Sequence, residues 1–337
     1  MKSFIKKHLS KLLVGLVAIL ALWVVILVTP INGYLSLSGI YNLPIPEEAA
    51  TYSIDPEKGY YLEKMSEGVY FVSSHSHNTM FIEAKESVIV IDALPSLGEK
   101  YLNAIRTVTD KPVNHIIYSH NHNDHIGAAH IFGDNIEIIA HDITAQKLAH
   151  AKDPNRPIPT ITFENDTILK IGGRTIELAY YGAAHSPGNI AIYLPDEKVL
   201  CVIDIAFPKW VPVHEFAVAE DLEAYFGIYE KILAYDFTHF VGGHAHLGSY
   251  QDIVDQRNYV FDIKKSAAEV FATVDFAGLG EKAAGIPNQY VGVNFGLNKM
   301  ACDCEKKVVD KWGEKLAGVD VFTRSHCLKM IFNEATE

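Results

Sequence analysis

Cysteine is scarce in this chain of 337 residues, which has four cysteines (Cys201, Cys302, Cys304 and Cys327) and no C-x-x-C pair. So few cysteines exclude a scaffold built on disulfide bonds. Positive charge is also in short supply, because 29 lysines and arginines face 41 aspartates and glutamates, giving a formal net charge of −12. Binding to phosphate backbones needs clustered lysine and arginine, so nucleic acid is not an expected partner. The composition, 49% hydrophobic and 21% charged, is that of a globular protein.

One long apolar run is present near the N-terminus. Residues 12–29 carry no charge and follow four lysines. About 18–20 apolar residues can cross a bilayer, whereas the apolar region of a cleaved signal peptide is usually about 7–15 residues long. We therefore predict a single-pass transmembrane signal anchor, with residues 1–11 forming a basic N-terminus. Because lysines stay on the cytoplasmic side of a membrane, everything after residue 30 is predicted to be periplasmic or extracellular.

A cleaved, secreted form is the alternative. In either oxidising space Cys327 could pair with Cys302 or with Cys304, and the sequence leaves both pairings open.

The rest of the chain divides into three parts by pattern. Residues 30–64 contain prolines and little periodicity, and are predicted to be a tether. Residues 65–250 alternate short β-rich runs with helical patterns, which predicts an α/β fold of two mixed sheets with helices on the outer faces. Residues 251–337 are predicted to be a helical extension packed on that core. Its helices are expected over 251–274 and 298–317, with breaks at Gly278, Gly280, Gly285 and Pro287.

Four potential metal ligands crowd into the segment 120–125, in a chain that has 16 histidines. His120 and His122 directly follow an apolar run predicted to be a strand. Positions i and i+2 at the end of a strand project to the same side, so these two rings can converge on one ion. Asp124 and His125 follow as the chain turns into a predicted helix. Imidazole and carboxylate are typical zinc ligands, so this spacing predicts a metal site.

Three more ligand-type residues lie at the ends of predicted strands: His185 just before one, Asp204 at the end of VLCVID, and His244 after THFVGG. Loops at strand ends are where sheets hold their functional groups. We therefore expect all seven side chains to meet in one site.

In motif, order and spacing these residues resemble the metallo-β-lactamase-fold superfamily of hydrolases over roughly residues 65–250. The resemblance implies an αββα sandwich with two zinc ions per chain at one edge, between the sheets. It implies that His120, His122 and His185 hold the first ion, that Asp124, His125 and His244 hold the second, and that Asp204 bridges them. Asp92, at the end of the strand VIVID, matches an aspartate that supports the histidine motif. His246 is an alternative to His244, but His244 fits the family's Gly-His pattern better.

The resemblance leads to the hypothesis of a hydrolase in which a hydroxide bridging two ions attacks an ester, thioester, lactone or amide carbonyl of a small molecule. Asp124 would hold or relay the proton. The aspartate at the bridging position resembles the broad hydrolase branch, whereas the main zinc β-lactamases typically have cysteine there. Candidates for the substrate groove are His75 and His77 on the first hairpin, and Phe207, Trp210 and His214 after the bridging aspartate.

Two other readings stay open. Imidazole also suits iron, so an iron-dependent oxygen or persulfide enzyme on the same fold is one alternative, and manganese is another candidate metal. A membrane-tethered, non-catalytic metal-binding protein is the second. The helical extension could be the surface of a homodimer or a lid.

Overall fold

The computed structural model describes residue 20, residues 43–50, residues 52–284 and residues 287–336. The predicted transmembrane segment at 12–29 therefore lies outside the described residues, apart from Leu20. Among the residues that are described, no helix combines the length and the apolar character needed to cross a bilayer.

Two mixed β-sheets form the centre of the described chain. The strands of the first sheet lie in sequential order: β1 Tyr61–Ser66, β2 Val69–Ser73, β3 Asn78–Glu83, β4 Val88–Ile91, β5 Val113–Ile117, β6 Glu137–His141 and β7 Ile161–Phe163. Strands β1 to β4 pair antiparallel, and β4 to β7 pair parallel. The second sheet has the reverse order, from β13 to β8: β8 Thr167–Ile171, β9 Arg174–Tyr180, β10 Ile190–Leu194, β11 Val199–Val202, β12 His239–Val241 and β13 Leu247–Gly248.

Helices cover the outer faces of this sandwich and the C-terminal part. They are α1 Glu99–Arg106, α2 Asn123–Ile126, α3 Asp142–Ala151, α4 Leu222–Ile232, α5 Tyr250–Thr273, α6 Phe276–Ala283, α7 Gln289–Trp312 and α8 Val319–Thr336. The α/β class and the two mixed sheets predicted from sequence are thus confirmed.

The described part of the molecule has three apolar cores, and the side chains of its fully buried strands alternate between two of them. In β4, Val88 and Val90 face the core shared with α1, whereas Ile89 and Ile91 face the core between the sheets. Side chains two residues apart share a face of the sheet, so one strand contributes to both layers. Strand β11 does the same from the other side, because Leu200 joins the core formed with the C-terminal helices. This layering brings the C-terminal ends of β4, β5 and β11 to one edge, where the histidine motif lies.

The C-terminal helices pack on the second sheet and on each other. Ile253 and Tyr259 of α5, Val308 of α7 and Ile331 of α8 belong to the same buried cluster as Leu200. A disulfide bond joins Cys304 in α7 to Cys327 in α8, and Cys302 is free. Of the two pairings that the sequence left open, the structure has the one with Cys304.

Two expectations about helix breaks were wrong. Gly278 and Gly280 lie inside α6, because a glycine costs a helix only about 1 kcal/mol relative to alanine and does not end it. The predicted helix over 298–317 is α7, which begins at Gln289 and ends at Trp312. Asn288 caps α7 by accepting a hydrogen bond from the backbone N–H of Tyr290, which fixes the earlier start.

Part of the predicted tether belongs to the folded body. Strand β1 begins at Tyr61, before the predicted boundary at residue 65. Tyr52 stacks on Tyr61 with ring centroids 4.3 Å apart, and its hydroxyl accepts a hydrogen bond from Leu247 N. The indole of Trp210 donates to the carbonyl of Ala49. The packing of this segment was not predicted, because the segment has little periodicity and is held by contacts with distant residues.

A stretch of left-handed backbone precedes α4. Glu215, Phe216, Ala217 and Val218 have φ values of 52°, 59°, 55° and 57°. None is a glycine, and a left-handed turn costs other residues roughly 1–2 kcal/mol each. Helix α8 supports this turn: the His326 ring stacks on Phe216 at 4.5 Å, and the Ser325 hydroxyl accepts a hydrogen bond from Glu215 N. These contacts with α8 hold the turn in its left-handed conformation.

Candidate metal centre

The ligand-type side chains lie in two adjacent clusters at the edge of the sandwich. One contains His120, His122, His185 and Asp204, and the other contains His77, Asp124, His125 and His244. Within each cluster the potential ligand atoms all lie within 4.8 Å of one another. The structure thus brings together the seven residues predicted from sequence, and adds His77 to them.

Asp204 lies between the two clusters. Its Oδ2 is 3.6 Å from His120 Nε2, and 3.4 Å from His185 Nε2. The same oxygen is 3.1 Å from His125 Nε2, whereas Oδ1 is 3.4 Å from His244 Nε2. One carboxylate therefore faces ligands of both clusters.

Within the residues that the structure describes, several buried nitrogen and oxygen atoms of these clusters have no hydrogen-bond partner. They are His120 Nε2, both ring nitrogens of His125, His185 Nδ1 and Asp204 Oδ1. Buried polar atoms are nearly always paired in folded proteins, and each unpaired one costs free energy. His120 Nε2 and His125 Nε2 both face the Asp204 carboxylate, and imidazole nitrogens together with a carboxylate are the donors that a divalent cation such as zinc takes, so these residues fit a metal.

A buried hydrogen-bond chain holds the first histidine. Asp92, at the end of β4, accepts hydrogen bonds from the backbone N–H of Ser119 at 2.7 Å and from its hydroxyl at 2.6 Å. The same hydroxyl lies 2.9 Å from His120 Nδ1. Because the Ser119 hydroxyl donates its hydrogen bond to Asp92, it accepts one from Nδ1–H of His120. Nε2 of His120 is then free to bind a metal. Asp92 was predicted from the sequence, but the role of Ser119 was not.

The backbone conformation at the ends of two strands sets the orientation of the Asp92 and Asp204 carboxylates. Asp92 and Asp204 have φ values of 52° and 63°, in the left-handed region that aspartate tolerates better than most residues. Gly243 approaches the site so closely that a Cβ there would collide with Asp204 Oδ1, and would lie 2.8 Å from His125 Cε1. Because there is no room for a Cβ, only glycine fits at the position before His244.

The carboxylates favour positive charge inside the site. Burial alone would lower the pKa of His125, but Asp204 and Asp92 outweigh it and raise this pKa to about 9. Burial would raise the pKa of Asp204, yet His125 and His244 hold it well below its usual range. A bound cation would supply the same positive charge in place of the proton on His125.

The predicted groove residues divide into two groups. The Phe207 ring stacks on His244 at 5.6 Å, and His77 is part of a cluster. In contrast, Trp210 contacts Ala49, and His214 is exposed with its ring against Phe322 of α8. His75 is exposed in the loop before β3. These contacts indicate structural or solvent-facing positions for Trp210, His214 and His75.

His246, the alternative to His244, packs against Tyr52 with ring centroids 4.7 Å apart. It belongs to neither cluster.

The chain matches the metallo-beta-lactamase superfamily over residues 74–244, just over half of its length, and it belongs to that family. It is 29% identical over 222 residues to the alpha subunit of 2,4-dinitroanisole O-demethylase from Nocardioides sp. (strain JS1661), covering 63% of each chain. It is 24% identical over 156 residues to metallo-beta-lactamase type 2 of Elizabethkingia meningoseptica, covering 42% of this chain and 61% of the other. The chain thus spans less than two thirds of the length of either relative.

Solved structures agree on the fold. The stereoselective inverting sec-alkylsulfatase Pisa1 from Pseudomonas sp. superposes with a TM-score of 0.56 at 17% identity, covering 82% of this chain and 50% of that one. A metallo-beta-lactamase from Pontibacter korlensis gives 0.51 at 22% identity, covering 59% and 97%. The resemblance seen in the sequence is confirmed, and the chain is an enzyme of the metallo-β-lactamase fold with a His/Asp site suited to divalent metals.

Proposed function

We propose that the protein is a metal-dependent hydrolase that binds two divalent cations, one in each cluster, with zinc as the preferred metal. The observation that carries this proposal is the position of Asp204, whose Oδ2 faces histidines of both clusters and whose Oδ1 faces His244 of the second. A carboxylate so placed can be shared by two ions, as the hydrolase mechanism requires. His120, His122 and His185 would hold one ion, and Asp124, His125 and His244 the other.

Bound divalent ions supply Lewis acidity and make a water molecule acidic enough to attack near neutral pH. The protein's own part falls to Asp124, whose side chain is 51% exposed and so reaches the solvent side of the site. Burial would raise the pKa of Asp124, but the hydrogen bond with His77 and the charge of His125 lower it to about 2. Asp124 is therefore an ionised acceptor that orients the attacking water and passes its proton toward the leaving group.

We propose a small-molecule substrate with an ester, thioester, lactone or amide carbonyl. The relatives add two further bond classes to test. One is named an O-demethylase of 2,4-dinitroanisole, and another, 23% identical over 178 residues, is a linear primary-alkylsulfatase from Pseudomonas sp. (strain ATCC 19151). An activated aryl ether and an alkyl sulfate therefore belong in the same panel of substrates.

The test is an activity screen of the full chain in detergent, purified without added metal and measured with and without a chelator. Elemental analysis of the same sample identifies the metal. We expect two ions per chain and turnover of at least one bond class that the chelator abolishes. Asp204→Asn and His120→Ala should lose both metal and turnover. Full activity in either variant would refute the assignment, and stoichiometric iron with oxygen consumption would favour the iron-enzyme alternative.

We also propose that the enzyme is anchored in a membrane by residues 12–29, with its folded part periplasmic or extracellular. Two features support this location: the uncharged run after four lysines, and the disulfide bond between Cys304 and Cys327, since disulfides persist in oxidising compartments. A tag at the C-terminus should react with a membrane-impermeant reagent in intact cells. Labelling only after lysis would contradict the proposal.

A homodimer is a further proposal. Both the alpha and the beta subunit of the same O-demethylase resemble this chain, at 29% and 26% identity. Two copies of one chain could therefore occupy the positions of two related subunits. Light scattering on the purified protein should give twice the mass of one chain, and a monomer at all concentrations would contradict this.

A further inference from the structure

His77 lies outside the ligand set expected from the family, yet the structure places it in the second cluster. It is in the loop between β2 and β3, whose end is fastened to the loop that carries His244. Asn78 N donates a hydrogen bond to Gly243 O at 2.8 Å, and the Asn78 amide donates to Ala245 O at 3.0 Å. His244 Nδ1 in turn lies 2.7 Å from the carbonyl of Ser76. The two loops therefore hold both imidazoles as one unit.

The ring of His77 is oriented with one nitrogen toward the cluster. Its Nδ1 lies 2.8 Å from the Ser76 hydroxyl, whereas its Nε2 is 3.4 Å from Asp124 Oδ2. The ring centroid is 4.5 Å from that of His244 and 5.5 Å from that of His125. Ligand-binding histidines are commonly held in this way, with one nitrogen hydrogen-bonded and the other facing the ion.

We infer that His77 is a fourth protein ligand of the second cation, an inference that rests on the proposed two-cation site. With it, each cluster offers three imidazoles and one carboxylate: His120, His122, His185 and Asp204 in one, and His77, Asp124, His125 and His244 in the other. Structural zinc sites commonly have four protein ligands of these types, whereas catalytic sites often have three. As an additional ligand, His77 would make the second site bind its cation more tightly.

The experiment compares metal binding by the full-length wild type, His77→Ala and the control His75→Asn. His75 is an exposed histidine of the same loop with φ 86°, a conformation that asparagine accepts. Each protein is dialysed against a weak chelator and analysed for zinc, and the affinity of the weaker site is measured by competition with a chromogenic chelator. Cobalt-substituted samples report coordination number, because four-coordinate Co²⁺ absorbs visible light more strongly than higher-coordinate Co²⁺.

We expect two tightly held ions in the wild type and in His75→Asn, but one in His77→Ala. The affinity of the second site should fall by more than the 10–100-fold that partners outside the ligand shell are worth. The cobalt absorption of that site should weaken. Ser76→Ala keeps the imidazole and removes only its Nδ1 partner, so it should weaken the second site about 10-fold, and it serves if His77→Ala does not fold.

Unchanged stoichiometry, affinity and cobalt spectrum in His77→Ala would overturn the inference and leave His77 as a hydrogen-bond partner of Asp124. That result would leave the proposed function standing. A wild type that holds fewer than two ions would instead remove the two-cation site itself, so the two failures are distinguishable.

Discussion

Replacing Ser119 by alanine tests the hydrogen-bond chain that orients His120. The substitution removes one hydroxyl and leaves two buried atoms without that partner, Asp92 Oδ2 and His120 Nδ1. A buried polar group left unpaired costs about 1–3 kcal/mol, so with two such groups the free energy of unfolding should fall by about 2–6 kcal/mol. Hydrogen-bond partners of metal-binding histidines are worth about 10–100-fold in affinity, and we expect a loss in that range at the first cluster.

Ser186 provides a matched control. It is also a buried serine next to a site histidine, His185, but its hydroxyl has no hydrogen-bond partner within the described part of the chain. Ser186→Ala should therefore change stability by less than about 1 kcal/mol and leave metal affinity unchanged, because no bond is lost.

Urea unfolding of the metal-free proteins gives the stability of each variant, and chelator competition gives its affinity. If Ser119→Ala binds metal as tightly as the wild type, or if Ser186→Ala loses as much, the hydroxyl does not set the orientation of His120.

Three other predictions concern different parts of the fold. Burial lowers the pKa of His326 to about 4, so this imidazole stays neutral in the native state, whereas in the unfolded chain it takes up a proton below about pH 6.5. The free energy of unfolding should therefore fall by about 3 kcal/mol between pH 6.5 and 4. His326→Gln should remove that part of the pH dependence in urea titrations, and an unchanged slope would contradict the assignment. Gly243→Ala should lose metal through the clash with Asp204, as measured by elemental analysis, whereas Gly227→Ala, with open space around its Cβ position, should keep it. Val218 is 62% exposed with φ 57°, so Val218→Asn should raise stability by about 1 kcal/mol in thermal unfolding, and a decrease would contradict the strain.

The features that sequence predicted well are encoded locally. The strand that ends at Ile117 is marked by its apolar residues. His120 and His122 follow it closely, so their position depends only on where that strand ends. Asp92 and Asp204 close apolar strands in the same way. Because β4 and β11 have no polar residue before these ends, the position of the two aspartates could be predicted without knowing how the sheets stack.

The features that could not be predicted from the sequence depend on contacts between distant residues. His77 was predicted only as a groove residue, because its place beside His244 follows from the pairing of loops 167 residues apart in the chain. The left-handed turn at 215–218 contains no glycine or asparagine, so nothing in the residue types signals it. It exists because α8 packs on it, and that helix lies about one hundred residues downstream.

The same turn makes the C-terminal extension a condition for an intact candidate metal centre. Just after the turn, Glu220 N donates a hydrogen bond to the carbonyl of His185, so the backbone of a proposed metal ligand is tied to a segment that would relax without its support. Helix α8 supplies that support, and the covalent link from Cys327 to Cys304 keeps α8 beside α7. A chain truncated before α8 should therefore lose affinity at the first cluster, although it would retain all eight of the histidines and aspartates that line the two clusters.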